Sequence, residues 1–287
     1  MAVHFIVGAI VNIGTERRFE ILELLGEGAF GAVFKCIDRC DDIEVAVKVE
    51  TQEDTLKPEY DFYALLNGCA GTPTCYGGNF VNAPFFLSMT VEGDSWSDVR
   101  AKCPNRIIPS KRLLSISYHA IRAFKLIHSV GVLHNDIRCA NMVMSRTPGK
   151  LPVLLLDFGL SRRVQIQGDR RVYSTVPAAR RSGFSSVRVA QGHAPQELDD
   201  LHALVYVILD MRKAWKFYFV PFADQLAAKV SLAEDPDEFV EDSEACYVPT
   251  IKSIFKQSYD GLPNYEEIMQ SFYKVKNFEK DYYLRPL

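Results

Sequence analysis

Eight residues, His134-Asn135-Asp136-Ile137-Arg138-Cys139-Ala140-Asn141, followed sixteen residues after Asn141 by Asp157-Phe158-Gly159, constrain this chain more than any other stretch. An Asp and an Asn five apart on one short loop, with a second Asp on a later turn, can surround a hydroxyl nucleophile and metal-bound phosphates at a single point. The rest of the chain must deliver both turns to one cleft. Apolar runs flank them: Val132-Leu133 enters the loop, Met142-Val143-Met144 leaves it, and Leu154-Leu155-Leu156 leads to Asp157. The second and third read as short strands. Upstream, Leu113, Ile116, Ala120, Phe124 and Ile127 form the apolar face of a helix that Ser110 can cap and Gly131 ends.

The first ninety residues read as a small sheet with one helix. From Phe19 to Leu25 apolar and charged residues alternate, then the chain turns through Gly26-Glu27-Gly28-Ala29-Phe30-Gly31-Ala32-Val33. Glycines let backbone N–H groups approach phosphate oxygens where a Cβ would intrude. A dinucleotide-binding turn has the same spacing, and Glu50 stands at a plausible distance, but that turn must open a helix. Here it opens a hairpin: strand Val33–Ile37, polar turn Arg39–Asp42, strand Val45–Val49. Lys48 lies in that second strand among small and branched apolar residues, which holds its ammonium at the mouth of an apolar cleft. The helix starting at Pro58 offers Glu59 as its anionic partner, while Asp61 faces another side and is expected in solvent.

Composition narrows the class. With 287 residues, 48% of them hydrophobic, a sizeable core is available. The net charge of -3 gives no reason to expect nucleic acid or a membrane surface as partner. The apolar stretch Ala2–Val11 contains His4, lacks a basic start and is too short to span a bilayer, so it reads as an early strand. Seven scattered cysteines without metal-ligand spacing point to reduced thiols and a cytoplasmic or nuclear compartment.

Taken together, Gly26-x-Gly28-x-x-Gly31-x-Val33, Val45-Ala46-Val47-Lys48, the helix Glu59 and the His134–Asn141 and Asp157–Gly159 turns resemble a protein kinase. The run Glu59-Tyr60-Asp61-Phe62-Tyr63 is similar to the casein kinase 1 group, especially its tau tubulin kinase branch. The resemblance implies an α+β, two-lobed protein kinase fold, with a small antiparallel β-sheet lobe carrying one helix and a larger, mainly helical lobe. It covers about residues 19–276: small lobe about 19–89, hinge about 90–93, large lobe about 94–276, and short tails. It implies ATP and Mg2+ as cofactors. Gly26, Glu27, Gly28, Ala29, Phe30 and Gly31 would cover the phosphates, and Lys48, held by Glu59, would bind them. Val33, Ala46 and Val143 would sandwich the base, with Met89 as gatekeeper and the backbone of Val91 and Glu92 at the adenine edge. Asp136 would accept the proton of a substrate hydroxyl, Arg138 would supply positive charge, and Asn141 and Asp157 would hold the metal. Asp200 would tie the catalytic loop down.

Three departures qualify the resemblance. Asn135 stands where the pattern usually has an Arg that pairs with a phosphorylated activation loop, so loop phosphorylation is a poor on-switch. Arg138 replaces the usual Lys, as in some tyrosine kinases, and guanidinium is wider and planar. In the short segment before Asp199-Asp200, Ser185-Ser186 replaces a Gly-Thr pair, with Ser186 expected to support the catalytic Asp; no Ala-Pro-Glu motif is present, and Ala194-Pro195-Gln196-Glu197 sits in the wrong place for one. From Phe158 to Ala190 the chain carries Arg162, Arg163, Arg170, Arg171, Arg180, Arg181 and Arg188 against only Asp169, a local positive field suited to acidic or primed protein substrates. The acidic run Glu234–Glu244 reads as a solvated connector, with docking on those arginines as an internal pseudosubstrate the alternative. The expectation is a monomeric Ser/Thr protein kinase; a scaffold-type pseudokinase and a tyrosine-directed or dual-specificity enzyme are the rivals.

Overall fold

The computed structural model describes residues 8–12, 17–28, 31–50, 53–81, 85–167, 170–174, 183–213 and 222–285. Ala29, Phe30, Asp169, Arg180, Arg181 and most of the stretch Ala2–Val11 lie outside the described residues.

The small lobe is built on β1 (Ile10–Asn12), β2 (Arg18–Glu27), β3 (Gly31–Asp38), β4 (Ile43–Glu50), helix α1 (Glu53–Leu65), β5 (Cys75–Asn79) and β6 (Phe85–Met89). The strands form one antiparallel sheet in the order β1-β2-β3-β4-β6-β5. Alternation of side chains divides β4 between two faces. Val45, Val47 and Val49 join Phe19, Ile21, Phe34 and Phe86 in a core of their own, where Phe19 and Phe86 meet edge to face at 5.2 Å. Ala46 instead packs with Leu87 and Met89 on the face that looks toward α1 and the large lobe.

Helix α1 starts five residues earlier than the Pro58 start expected from sequence. Pro58 removes one intrahelical hydrogen bond, but its ring is exposed, while Leu56, Glu59, Tyr63 and Leu66 share the buried side. Asp61 is exposed as expected and pairs with Lys57 one turn back.

The large lobe follows as α2 (Trp96–Lys102), α3 (Ser110–Ser129), the short strands β7 (Val132–Leu133), β8 (Met142–Met144), β9 (Val153–Leu155), β10 (Arg162–Arg163), β11 (Gln165–Gln167) and β12 (Arg170–Val172), then α4 (Val187–Ala190), α5 (Glu197–Met211), α6 (Phe222–Glu234), α7 (Pro236–Phe239), α8 (Val248–Phe255) and α9 (Tyr265–Phe272). Helix α3 is the axis: Leu113, Ile116, Ala120, Phe124 and Ile127 are at most 1% exposed, against α5 and α9. Ser110 is its first helical residue rather than its cap; Pro109 holds the cap position, and no side chain caps it.

The acidic run is engaged within this lobe. Glu244 is buried and makes a bidentate pair with Arg212 (2.7 Å on each arm), Asp237 pairs with Lys252, and Asp235 caps α7. Glu244 ties the run to the end of α5, Asp237 links α7 to α8 and Asp235 caps its own helix; Glu234, Asp235, Asp237, Glu238 and Glu241 are exposed, as expected of a solvated stretch, and Glu244 departs from it.

The folded unit also exceeds the bounds read from sequence. Strand β1 extends the sheet before Phe19, and the segment after Lys276 docks on α3. Arg112 donates to the Arg285 carbonyl, Ser115 Oγ to the Lys280 carbonyl (2.5 Å), and His119 Nε2 lies 3.0 Å from the same carbonyl. Burial, with the Arg122 guanidinium 3.3 Å from Nδ1, pulls the His119 pKa down to about 4 despite the Lys280 carbonyl. His119 is therefore neutral in the fold, and the unfolded chain takes up a proton near its ordinary pKa of 6.5. The stabilisation is whole above that value and is lost as pH falls toward 4. Urea denaturation at about pH 5 should show on the order of 1–2 kcal/mol less stability than at about pH 7 from this residue. His119→Gln, which keeps a donor for the Lys280 carbonyl, should lose that part of the acid sensitivity.

Candidate active site

The alternation of β4 places Ala46, Lys48 and Glu50 on the sheet face that looks into the cleft between the lobes. Lys48 Nζ meets three carboxylates: Glu59 Oε2 at 2.5 Å, Glu50 Oε1 at 3.2 Å and Asp157 Oδ1 at 3.8 Å. Burial alone would favour a neutral Lys48, yet Glu59, Asp157 and Glu50 outweigh it and hold the ammonium above its ordinary range. Glu59 is itself 2% exposed, and burial, with Asp157 and Glu50 nearby, pushes its carboxyl up to about 7 against the pull of Lys48. The expected Lys48–Glu59 pair is present. Asp157 joins it from the turn read in the sequence, and Glu50 joins it with no signal beyond strand parity.

Across the cleft, the loop is held from below. Asp200, buried at the start of α5, accepts the backbone N–H groups of His134 (2.7 Å) and Asn135 (2.9 Å), and its Oδ2 lies 2.9 Å from His128 Nε2. Burial would raise this carboxyl, but His128 and the His134 N–H hold it below its ordinary value. Asn135 adopts a left-handed backbone (φ 64°), a conformation that Asn tolerates better than most residues, and its amide donates to the Leu160 carbonyl. So pinned, the loop presents Asp136. Asn141 Nδ2 donates both to the Asp136 carboxylate and to its backbone carbonyl, each at 2.9 Å. Burial raises the Asp136 pKa; His134 and the exposed Arg138 oppose it, Asp157 adds to it, and Asn141 opposes it.

Asp157 also takes a left-handed backbone (φ 63°), closed by the Gly159 N–H on its own Oδ1 (3.3 Å). Its backbone N–H donates to the Tyr63 hydroxyl oxygen (3.2 Å), a contact that sequence reading missed. The Tyr63 ring meets Phe158 edge to face at 5.0 Å, and Phe158 meets His134 at the same distance, so a column of rings runs from α1 to the loop. The spacing Glu59, Tyr63 on one helix face was the available signal.

Between the lobes, Ala46, Met89 and Val143 are buried in one apolar cluster with Val33 packed against it. Met89 pairs with Ala46 across the sheet. The carboxylate of Glu92 is engaged by the Thr90 hydroxyl (2.6 Å), the Arg146 N–H (2.8 Å) and the Thr147 hydroxyl (2.8 Å), so any adenine contact falls to its backbone. Gly93 permits a close approach of hinge to β8: its N–H donates to the Met144 carbonyl at 2.7 Å, where a Cβ would collide. The glycine-rich turn divides similarly. A Cβ on Gly31 would fall 1.9 Å from the Val49 carbonyl, whereas at Gly26 it would meet nothing within 4 Å and at Gly28 only the Gly31 carbonyl at 3.9 Å. Gly31 is thus demanded by the sheet itself. Gly26, Glu27 and Gly28 stand exposed on the turn.

Two expectations are corrected. The Ser186 hydroxyl has one proton and gives it to Asp199 (2.5 Å) while accepting the Val189 N–H, so it caps α4 and leaves Asp136 without the expected support. Among the described residues, the arginine field is smaller than the sequence count. Arg171 pairs with the buried Glu197 (2.5 Å), which also takes the Tyr173 hydroxyl (2.9 Å), and Arg188 lies 4.1 Å over the Tyr259 ring. Arg163 and Arg170 remain exposed. The column of rings yields a test: Tyr63→Phe keeps the edge contact but leaves the Asp157 N–H without its acceptor and should cost about 1 kcal/mol in urea denaturation. Tyr63→Ala should cost about 3–5 kcal/mol.

Comparison with known proteins agrees with this geometry. Residues 19–181 match the protein kinase domain family model. A probable serine/threonine-protein kinase of Dictyostelium discoideum is 26% identical over 91% of this chain, and the casein kinase 1-like protein HD16 of Oryza sativa subsp. japonica is 25% identical over 91%. The chain spans 53% and 40% of the lengths of those two relatives. The solved structure of vaccinia related kinase 3 superposes with a TM-score of 0.77, at 15% identity, over 95% of this chain and 91% of the other, and so shares the fold. The two-lobed architecture, the paired Lys48 and Glu59, the pinned loop bearing Asp136 and the matching domain model together show that this chain belongs to the protein kinase family.

Proposed function

We propose that this chain is a serine/threonine protein kinase that moves the γ-phosphoryl group of ATP to protein hydroxyls, with acidic or already phosphorylated substrates preferred. The observation that carries the reading is the charge arrangement of one cleft: Lys48 fixed by Glu59 with Asp157 3.8 Å away, opposite an Asp136 carboxylate gripped by Asn141. A scaffold has no need for all five groups in these positions.

Lys48 binds the α- and β-phosphates, and Glu59 keeps its ammonium oriented. Val33, Ala46, Met89 and Val143 cover the base, and Gly26, Glu27, Gly28 and Gly31 frame the phosphates. Asp157 and Asn141 suit a hard cation: among the described residues no three His, Cys, Asp or Glu side chains group to hold a metal, and magnesium commonly takes one or two carboxylates with phosphate and water. Magnesium ATP, when bound, supplies the phosphoryl group and neutralises charge on its oxygens. Asn141 fixes one oxygen of Asp136, which leaves the other to align a substrate hydroxyl and receive its proton. The exposed Arg138, Arg163 and Arg170 offer an acidic or phosphorylated peptide charge-assisted contacts.

Transfer of radiolabel from magnesium ATP to a casein-type acidic protein tests the reading. Asp136→Asn should lower kcat by about 10²–10⁴-fold. Label on Ser or Thr supports the proposal, and label on Tyr alone replaces it with a tyrosine-directed enzyme. ATP-dependent thermal stabilisation without transfer to any substrate favours the scaffold reading. A second outcome concerns pH. Asp136 must be ionised to take the proton, and burial raises its pKa, so kcat/KM should fall with acid on a limb above the ordinary carboxylate range. Arg138→Gln removes a charge that lowers that pKa and should move the limb to higher pH.

A further inference from the structure

Glu50 has no place in the kinase motifs and entered the sequence reading only with the rejected dinucleotide turn, yet it is 3% exposed and its Oε1 stands 3.2 Å from Lys48 Nζ. Strand parity puts it on the cleft face with Ala46 and Lys48. In the sheet it lies directly opposite Gly31, and a Cβ on Gly31 would fall 2.9 Å from Glu50 Cγ. Its stem therefore runs beneath the last glycine of the turn, and its carboxylate points along the strand to Lys48. An ammonium has three donors. Glu59 takes one on the α1 side at 2.5 Å, while Glu50 and Asp157 pair with the same ammonium at 3.2 and 3.8 Å. Three carboxylates against one ammonium make this a net negative place for a polyphosphate to enter.

We infer that Glu50 competes with nucleotide phosphates for the Lys48 ammonium, and so sets how tightly the cleft holds a nucleotide without taking part in turnover. This rests on the nucleotide reading proposed above. Glu59 and Glu50 then divide the work on one cation: Glu59 fixes its direction, and Glu50 must share the ammonium and tolerate a second anion nearby. A like charge within a few ångströms in a partly buried site opposes the incoming phosphates, and its removal favours them. Glu50 is a positioning residue, acting through Lys48.

The test titrates magnesium ATP into the full chain by calorimetry, for wild type, Glu50→Gln and Glu50→Asp, with steady-state phosphoryl transfer alongside and cooperative thermal unfolding as the check of fold. Glu50→Gln should bind about 10-fold more tightly, with KM for ATP falling in step and kcat within about twofold of wild type. Glu50→Asp keeps the charge on a shorter stem and should fall between them; it carries the test if Glu50→Gln does not fold. Unchanged or weaker binding in the folded variants, or a collapse of kcat at constant affinity, would overturn the competition while leaving the nucleotide reading in place. No binding of magnesium ATP by wild type or variants would overturn both.

Discussion

Two backbone N–H groups on one buried carboxylate fix the geometry from which everything else in the cleft is measured. Asp200 sits in the first turn of α5, fully enclosed, and receives the His134 and Asn135 amides while His128 closes its remaining side. Loop backbone without regular strand or helix partners must find acceptors elsewhere when it is buried. Here α5 provides them, so the position of Asp136 is referred to the core of the large lobe and not to the surface. The left-handed turn at Asn135 follows from the same requirement, because the chain must double back over the carboxylate before it reaches Asp136.

The small lobe applies a different constraint to the same cleft. Its sheet has a private core around Phe19, Phe34 and Phe86 and shares only its other face with the rest of the molecule. Beside the cleft, α1 braces Lys48 through Glu59 within the small lobe and reaches across to the large lobe through Tyr63 on Asp157. The two side chains lie one turn apart, so one rotation of that helix would loosen both contacts together. The clasp of Arg171 and Tyr173 on Glu197 does comparable work for the segment after Asp157, using a buried carboxylate where Asn135 offers no charge.

Much of this was legible in the sequence because it depends on local periodicity and short spacings. Strand parity placed Lys48 in the cleft, the five-residue step from Asp136 to Asn141 survived as a hydrogen bond, and the apolar positions of α3 came out as the core. What failed depends on contacts between distant segments. Ser186 carries the right group, but Asp199 lies nearer. Seven arginines looked like a field until Glu197 and the Tyr259 ring drew in two of them. Glu244 departs from the solvated reading of the acidic run because nothing local announces Arg212 as its partner. Gly31 also carries a demand that spacing alone does not reveal, the close approach of the Val49 carbonyl.

The way α3 holds the segment after Lys276 separates anchorage from sequence. Arg112, Ser115 and His119 grasp the main-chain carbonyls of Lys280 and Arg285. Any residue presents a carbonyl. The identities of residues 280 and 285 can therefore drift among homologues without loosening the attachment, whereas loss of the donor at 112, 115 or 119 on α3 weakens it from the other side. Covariation would be silent between these partners even though they touch, and a contact map inferred from sequence families would miss the strap.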